Sequence, residues 1–227
     1  MKVTDFKTRF AQLKKTAPEA LAGIRPGQRV FIGSGCGEPQ HLVNTLLDRA
    51  SGFSDLEIVR LLSLESSLVA MMAEESQGRI FNVRSIYLGS GQTLSLRANQ
   101  RFITPIPLSA VPRIFRDGHL PLDYALIQLT PPDAYGWMNL GISVDVTLAA
   151  AQSATNVIAQ VNPRMPKIPG HGFIHIDQVD AIVELVGDAL ERRGLWATRD
   201  TEGAEIAEEL AQEAREARKQ GTGKSEL

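Results

Sequence analysis

Cysteine is almost absent. Cys36 is the only one in 227 residues, so no internal disulfide can form and a disulfide-stapled scaffold is excluded. Aromatic residues make up only 6%, and no apolar run reaches the roughly 20 residues that a membrane-spanning helix needs. The four histidines, His41, His119, His171 and His175, lie scattered, with neither thiols nor carboxylates at ligand spacing, so no metal site is expected. An excess of charge of one sign is lacking too. Twenty-four Lys and Arg against 26 Asp and Glu leave a formal net charge of -2, which offers no basic face for nucleic acid or an anionic membrane. The expected partner is a small molecule or another protein chain. Charges throughout Met1 to Lys15 do not suit a secretory leader, and a reducing cytoplasm is the expected setting.

What is present is a globular alternation of strand and helix patterns, with 43% hydrophobic residues to build a core. Thr4 to Lys15 reads as an amphipathic helix, and Thr16-Ala-Pro-Glu19 has the spacing of a capping box opening a short second one. Gln28 to Ile32 reads as a strand, followed by Gly33-Ser-Gly-Cys-Gly-Glu38 and a helix from Pro39 to about Ala50. Further strands are expected at Leu56–Leu62, Ile80–Leu88, Asp123–Leu129 and Asn156–Val161, with two short ones at Phe173–Ile176 and Ala181–Leu185. Helices are expected at Ser66–Ala73, Gln92–Asn99, Ser109–Phe115 with Ser109 as its cap, and Val146–Ser153. Such alternation predicts an α/β fold, an open and mainly parallel sheet with helices on both faces. Residues 1–199 carry this globular signature. Residues 200–227 turn to Glu, Ala, Arg and Lys with a thin apolar stripe, and are expected to form a charged helical tail, partly disordered.

Two loops stand out. Leu129 to Asp145 runs from an apolar strand into Thr130-Pro-Pro-Asp133 and two further glycines, and stiff loops at strand ends are where α/β scaffolds hold ligands. Asp133 serves either a cleft or a turn in which it bonds its own backbone. Asn162 either donates an amide hydrogen bond to a ligand or starts the Asn-Pro turn. The glycine loop, Gly33 to Gly37, either lines a cleft with main-chain amides or makes a tight strand-to-helix turn. It does not fit the dinucleotide fingerprint, because Glu38 stands where the third glycine belongs and would oppose a pyrophosphate. Ile32 and Ser34 exclude a nucleophile elbow, and Cys36 reads first as a small residue in a crowded turn. Arg101, Arg113 and Arg116 suit carboxylate recognition or a solvated face. Glu38, Glu65 and Glu184 are conceivable acid groups, and spacing selects none of them.

Gly33-Ser-Gly-Cys-Gly-Glu-Pro39 after a strand, Pro131-Pro-Asp-x-x-Gly136 with Leu140-Gly141, Asn162-Pro-x-Met-Pro166 and His175-Ile-Asp-x-x-Asp180-Ala-Ile-Val-Glu184 occur in a fixed order. Together they resemble the N-terminal half of the acetyl-CoA hydrolase/transferase family, over roughly Ile24 to Glu184. The resemblance implies a class I CoA-transferase-like fold, with two such domains in the complete enzyme and the active site between them. It also implies covalent chemistry. A glutamate attacks an acyl-CoA thioester, the CoA thiolate moves to the glutamyl group, and an incoming carboxylate collects it.

In that family the nucleophilic glutamate lies in the C-terminal half, which should begin soon after Asp200. Gln212 to Lys219 and the residues to Leu227 do not match it. No catalytic residue is therefore assigned to any position here. Substrate contacts are expected from Gly33, Ser34, Gly35, Cys36, Gly37, Thr130, Pro131, Pro132 and Asn162. No tightly bound cofactor is expected; a coenzyme A thioester is a substrate. The expected partners are acyl-CoA and carboxylate substrates, with a C-terminal CoA-transferase half or self-association completing the assembly. Two rival readings stand beside this one: a non-catalytic module that binds acyl-CoA or a carboxylate, and a self-sufficient thioester hydrolase using Glu38 or Cys36.

Overall fold

The computed structural model describes residues 6–61, 79–86, 101–103 and 106–185. The chain divides into two units, Met1–Leu185 and Val186–Leu227, and every described residue belongs to the first. The helices expected at Ser66–Ala73 and Gln92–Asn99, and the tail from Asp200, lie outside the described residues.

Seven parallel strands form one sheet in the order β4-β3-β2-β1-β5-β7-β9. They are β1 (Arg29–Ile32), β2 (Leu56–Arg60), β3 (Phe81–Ser85), β4 (Arg101–Ile103), β5 (Tyr124–Leu129), β7 (Asn156–Val161) and β9 (Ala181–Glu184). A separate antiparallel pair joins β6 (Trp137–Asn139) to β8 (Phe173–His175). The apolar runs expected to be strands are strands, because a parallel strand buried on both faces needs apolar residues at nearly every position. β4 and β6 were not expected. Each has only three residues, too few to show alternation.

The helices are α1 (Phe6–Leu13), α2 (Ala17–Ala20), α3 (Gln40–Asp48), α4 (Val111–Arg116) and α5 (Thr147–Ser153). They cover both faces. Phe31, Ala125, Ile127, Val157 and Ala159 pack on one side with residues of α1, α4 and α5. Val30, Ile32, Leu126 and Ile158 pack on the other with residues of α2 and α3. The period-two alternation along β1, β5 and β7 assigns these faces.

Local signals held where partners are close in sequence. Thr16 Oγ1 accepts from Glu19 N at 3.4 Å and Glu19 Oε2 accepts from Thr16 N at 3.0 Å, the expected capping box. Ser109 does not cap α4. A 3-10 turn over Leu108–Ala110 intervenes, so the helix starts at Val111, with Ala110 at its N-cap and no side-chain bond there. Pro39 sits one residue before α3, with ψ at 75°, and likewise supplies no cap.

Glu57, on β2, holds β1, β2 and β3 together. Its carboxylate accepts from Arg29 Nε at 2.7 Å and Nη2 at 2.6 Å, and it pairs with Arg84 Nε. All three side chains are at most one quarter exposed. Removing the carboxylate leaves two sequestered guanidinium groups without it. Glu57→Ala is therefore expected to lower unfolding free energy by about 1–3 kcal/mol in urea denaturation, well beyond an exposed pair.

Candidate functional site

The strand order reverses beside β1. From there β2, β3 and β4 succeed one another in one direction, while β5, β7 and β9 lie in the other. In open parallel sheets this switch point leaves a crevice at the carboxyl ends of the two central strands, because the following connections depart to opposite sides. The glycine loop follows β1, the Thr130–Asp133 loop follows β5, and Asn162 follows β7. Three segments separated by up to 129 residues (Gly33 to Asn162) thus arrive on three adjacent strands. Arg101 opens β4, three strands from β1, and Arg113 and Arg116 lie on α4.

The loop after β1 is a single 3-10 turn over Gly35–Gly37. Gly33 N donates to Leu126 O at 2.9 Å, which prolongs the ladder with β5, and Glu38 N closes on Gly35 O at 3.1 Å. Gly37 N is shared between Ser34 O at 3.0 Å and Ser143 Oγ at 3.2 Å. Among the described residues the amides of Gly35 and Cys36 donate to nothing. Cys36 is exposed, while Ser34 and Glu38 are buried.

A second loop, Gly141 to Val146, clamps the first. Ser34 Oγ hydrogen-bonds Asp145 Oδ2, and Asp145 Oδ1 accepts from both Thr147 N and Thr147 Oγ1 at 3.0 Å, tying the clamp to the start of α5. Ser143 and Asp145 were not among the expected site residues. Their only sequence signal was membership of the Leu129–Asp145 stretch, since each meets a partner more than 100 residues away.

Thr130 is fully buried, its hydroxyl accepting from Asn139 N at 3.0 Å and donating to Pro131 O at 3.1 Å. It braces the double-proline turn with its hydroxyl engaged inside the loop. Asp133 Oδ1 accepts from Tyr135 N at 2.8 Å and Trp137 N at 2.9 Å, the turn-forming reading of that residue. Asn139, also fully buried, accepts from Gly141 N at 2.8 Å and donates to Ile168 O at 3.0 Å, fixing where the clamp begins.

Sequence reasoning also passed over two buried glutamines. Gln128 on β5 and Gln160 on β7 are register partners, and Gln160 Nε2 donates to Gln128 Oε1 at 2.8 Å. Gln160 Oε1 accepts from His41 N at 2.9 Å and Leu42 N at 3.3 Å, at the start of α3. Gln128 Nε2 reaches Cys36 O, and Asn162 Nδ2 reaches Gln128 Oε1, both at 3.5 Å. Asn162 Oδ1 accepts from Arg164 N at 2.9 Å, the turn-starting reading of that residue. The visible signal was a polar residue inside Ala-Leu-Ile-Gln-Leu and Val-Ile-Ala-Gln-Val.

The remaining candidates lie elsewhere or are engaged. Glu184 pairs with Lys14, and Glu65 lies outside the described residues. His175 Nε2 lies 3.0 Å from Tyr135 O, and its Nδ1 accepts from Asp177 N at 3.3 Å. Among the described residues no group of three His, Cys, Asp or Glu could hold a metal ion, and no helix is long and apolar enough to cross a membrane.

An open parallel sheet with both faces covered, and a glycine turn and its clamp at the switch point, define an α/β protein of the CoA-transferase fold. Residues 1–186 match the acetyl-CoA hydrolase/transferase N-terminal domain, and the chain belongs to that family. It is 35% identical over 176 residues to the 4-hydroxybutyrate coenzyme A transferase of Clostridium kluyveri, a match covering 78% of this chain and 40% of that protein. RipA from Yersinia pestis superposes with a TM-score of 0.73 at 25% identity, covering 80% of this chain and 44% of that one. A 4-hydroxybutyrate CoA-transferase from Porphyromonas gingivalis superposes at 0.61 with 26% identity, covering 80% and 41%. The matched stretch of the chain covers 35% to 42% of the length of the curated relatives.

Proposed function

We propose that this chain forms the N-terminal half of an enzyme that moves coenzyme A between an acyl-CoA and a carboxylic acid, with the nucleophilic glutamate supplied by a C-terminal half. The observation that carries this reading is the glycine turn at the switch point, with the Gly35 and Cys36 amides uncommitted, in a chain of this family. Two adjacent amide donors suit the carbonyl oxygen of a thioester, where charge develops when a carboxylate attacks.

In this scheme the glutamate oxygen bonds to the thioester carbonyl carbon, the C–S bond breaks, and the CoA thiolate leaves. The thiolate then attacks the glutamyl carbonyl of the anhydride, releasing the first carboxylate and forming a glutamyl-CoA thioester. An incoming carboxylate reverses both steps and leaves as its own CoA ester. Exposed Tyr135, Trp137, Ile142 and Phe173, in the segments after β5 and before β9, offer an apolar surface for a second half to cover.

The test is incorporation of labelled acetate into acetyl-CoA, run on the purified chain alone and with a separately expressed C-terminal half from the same family. Exchange in the mixture and none with the chain alone is the expected result. Turnover by the chain alone would place a catalytic group within it and overturn the split site. Binding of acetyl-CoA without exchange in either sample would favour a non-catalytic binding module.

A further inference from the structure

We propose that Gln128 and Gln160 are positioning residues, a buried amide relay of fixed polarity that holds the Gly35–Gly37 turn and the start of α3 in register with β5 and β7. The functional consequence rests on the reading above, that acyl-CoA meets this turn.

The starting point is a helix without a cap of its own. The first N–H groups of α3 have no acceptor within the helix, and Pro39 at the N-cap offers no side-chain oxygen. Gln160, from a strand 119 residues later, supplies the oxygen to His41 N. An N–H can only donate, so the Gln160 oxygen must face α3 and its nitrogen must face β5. That nitrogen meets Gln128 Oε1 at 2.8 Å, which commits the Gln128 oxygen and turns its nitrogen toward Cys36 O. The same oxygen also takes Asn162 Nδ2 at 3.5 Å. Every carboxamide orientation therefore follows from the helix end.

The two positions stand two residues after Leu126 and Ile158 and so share with them the α3 face of the sheet, where apolar residues are the rule. Gln128 is only 7% exposed and Gln160 only 2%. Leucine at either place would fill the space with no polar group to satisfy. What leucine could not do is connect a helix end, a turn carbonyl and Asn162 through two strands.

Reversing one amide dipole should disturb the turn while leaving the helix capped. Gln160→Glu keeps the oxygen that faces α3, with a charge that favours a helix N-terminus, but sets a second oxygen where Nε2 donated to Gln128. Gln128 must then turn its nitrogen toward that oxygen, which brings its own oxygen against the Cys36 carbonyl. Gln128→Glu reaches the same result from the other side, since a carboxylate cannot donate to Cys36 O.

Cys36 is exposed in the turn and is the only cysteine, so its alkylation reports on the turn alone. We would measure the second-order rate of iodoacetamide modification of the full chain, wild type and both variants, with and without acetyl-CoA, beside thermal unfolding. Both variants are expected to react roughly fivefold faster, the factor set by loss of one net hydrogen bond, and to lose acetyl-CoA protection by a similar factor. Wild-type alkylation rates in variants that thermal unfolding shows to be folded would overturn the relay. If acetyl-CoA fails to protect the wild type, the ligand reading falls and the alkylation rates still decide the relay.

Discussion

Gly37→Ala is expected to lower CoA exchange by about 100-fold in the reconstituted mixture, the cost of moving a positioning element by about 1 Å. A β-carbon at residue 37 would lie 2.7 Å from Ser143 Cβ and 3.7 Å from Ser143 Cα. Neither atom is the end of a flexible side chain, so the clamp or the turn must give way. Either movement breaks the 3.2 Å bond from Gly37 N to Ser143 Oγ and displaces the neighbouring Gly35 and Cys36 amides. The double variant Gly37→Ala, Ser143→Gly removes the obstructing atom. It should recover part of the activity, which a general loss of folding would not allow. Exchange by Gly37→Ala at the wild-type rate would remove this turn from the site.

The largest effect on stability is expected at Gly141, where the clamp begins. Its φ is +63°, and an added β-carbon would overlap Met165 Sδ and Cγ and lie 3.1 Å from Pro166 O. Left-handed strain of roughly 1 kcal/mol adds to overpacking of about 1–3 kcal/mol against a buried methionine, so Gly141→Ala should lose about 3 kcal/mol. Urea denaturation followed by circular dichroism reads this as a fall in midpoint at constant slope. In a Met165→Ala background the increment should shrink toward the strain alone. A wild-type midpoint for Gly141→Ala would show that Met165 and the Pro166 carbonyl relax without cost.

Much of the fold was legible because the signals are local. Val30 to Ile32, Ala125 to Leu129 and Val157 to Val161 are apolar at nearly every position, which only a strand covered on both faces needs. Thr16 and Glu19 cap a helix within four residues, and so declared it in sequence. Ser109 misled because a residue type favoured at helix starts fell in the 3-10 turn before α4. β6 could not be read because its strand character comes from β8, more than 30 residues away.

The candidate site divides the same way. Glycines after β1 and prolines after β5 mark their loops by themselves, because both residue types restrict or free the backbone whatever surrounds them. Ser143, Asp145, Gln128 and Gln160 carry no such mark. Their roles lie in bonds that cross 32 to 119 residues of chain.

By itself, then, the sequence determined the alternation of buried strands and helices, the family motifs, and the two loops on which a ligand reading rests. Each of these depends on a residue and its near neighbours. Only the tertiary structure decided that β1 and β5 meet at the switch point, that Ser143 and Asp145 clamp the glycine turn, and that Gln160 caps α3 from another strand. The physical reason is that a buried hydrogen-bonding group takes its partner from whatever folding brings within about 3 Å, and sequence distance places no limit on that choice.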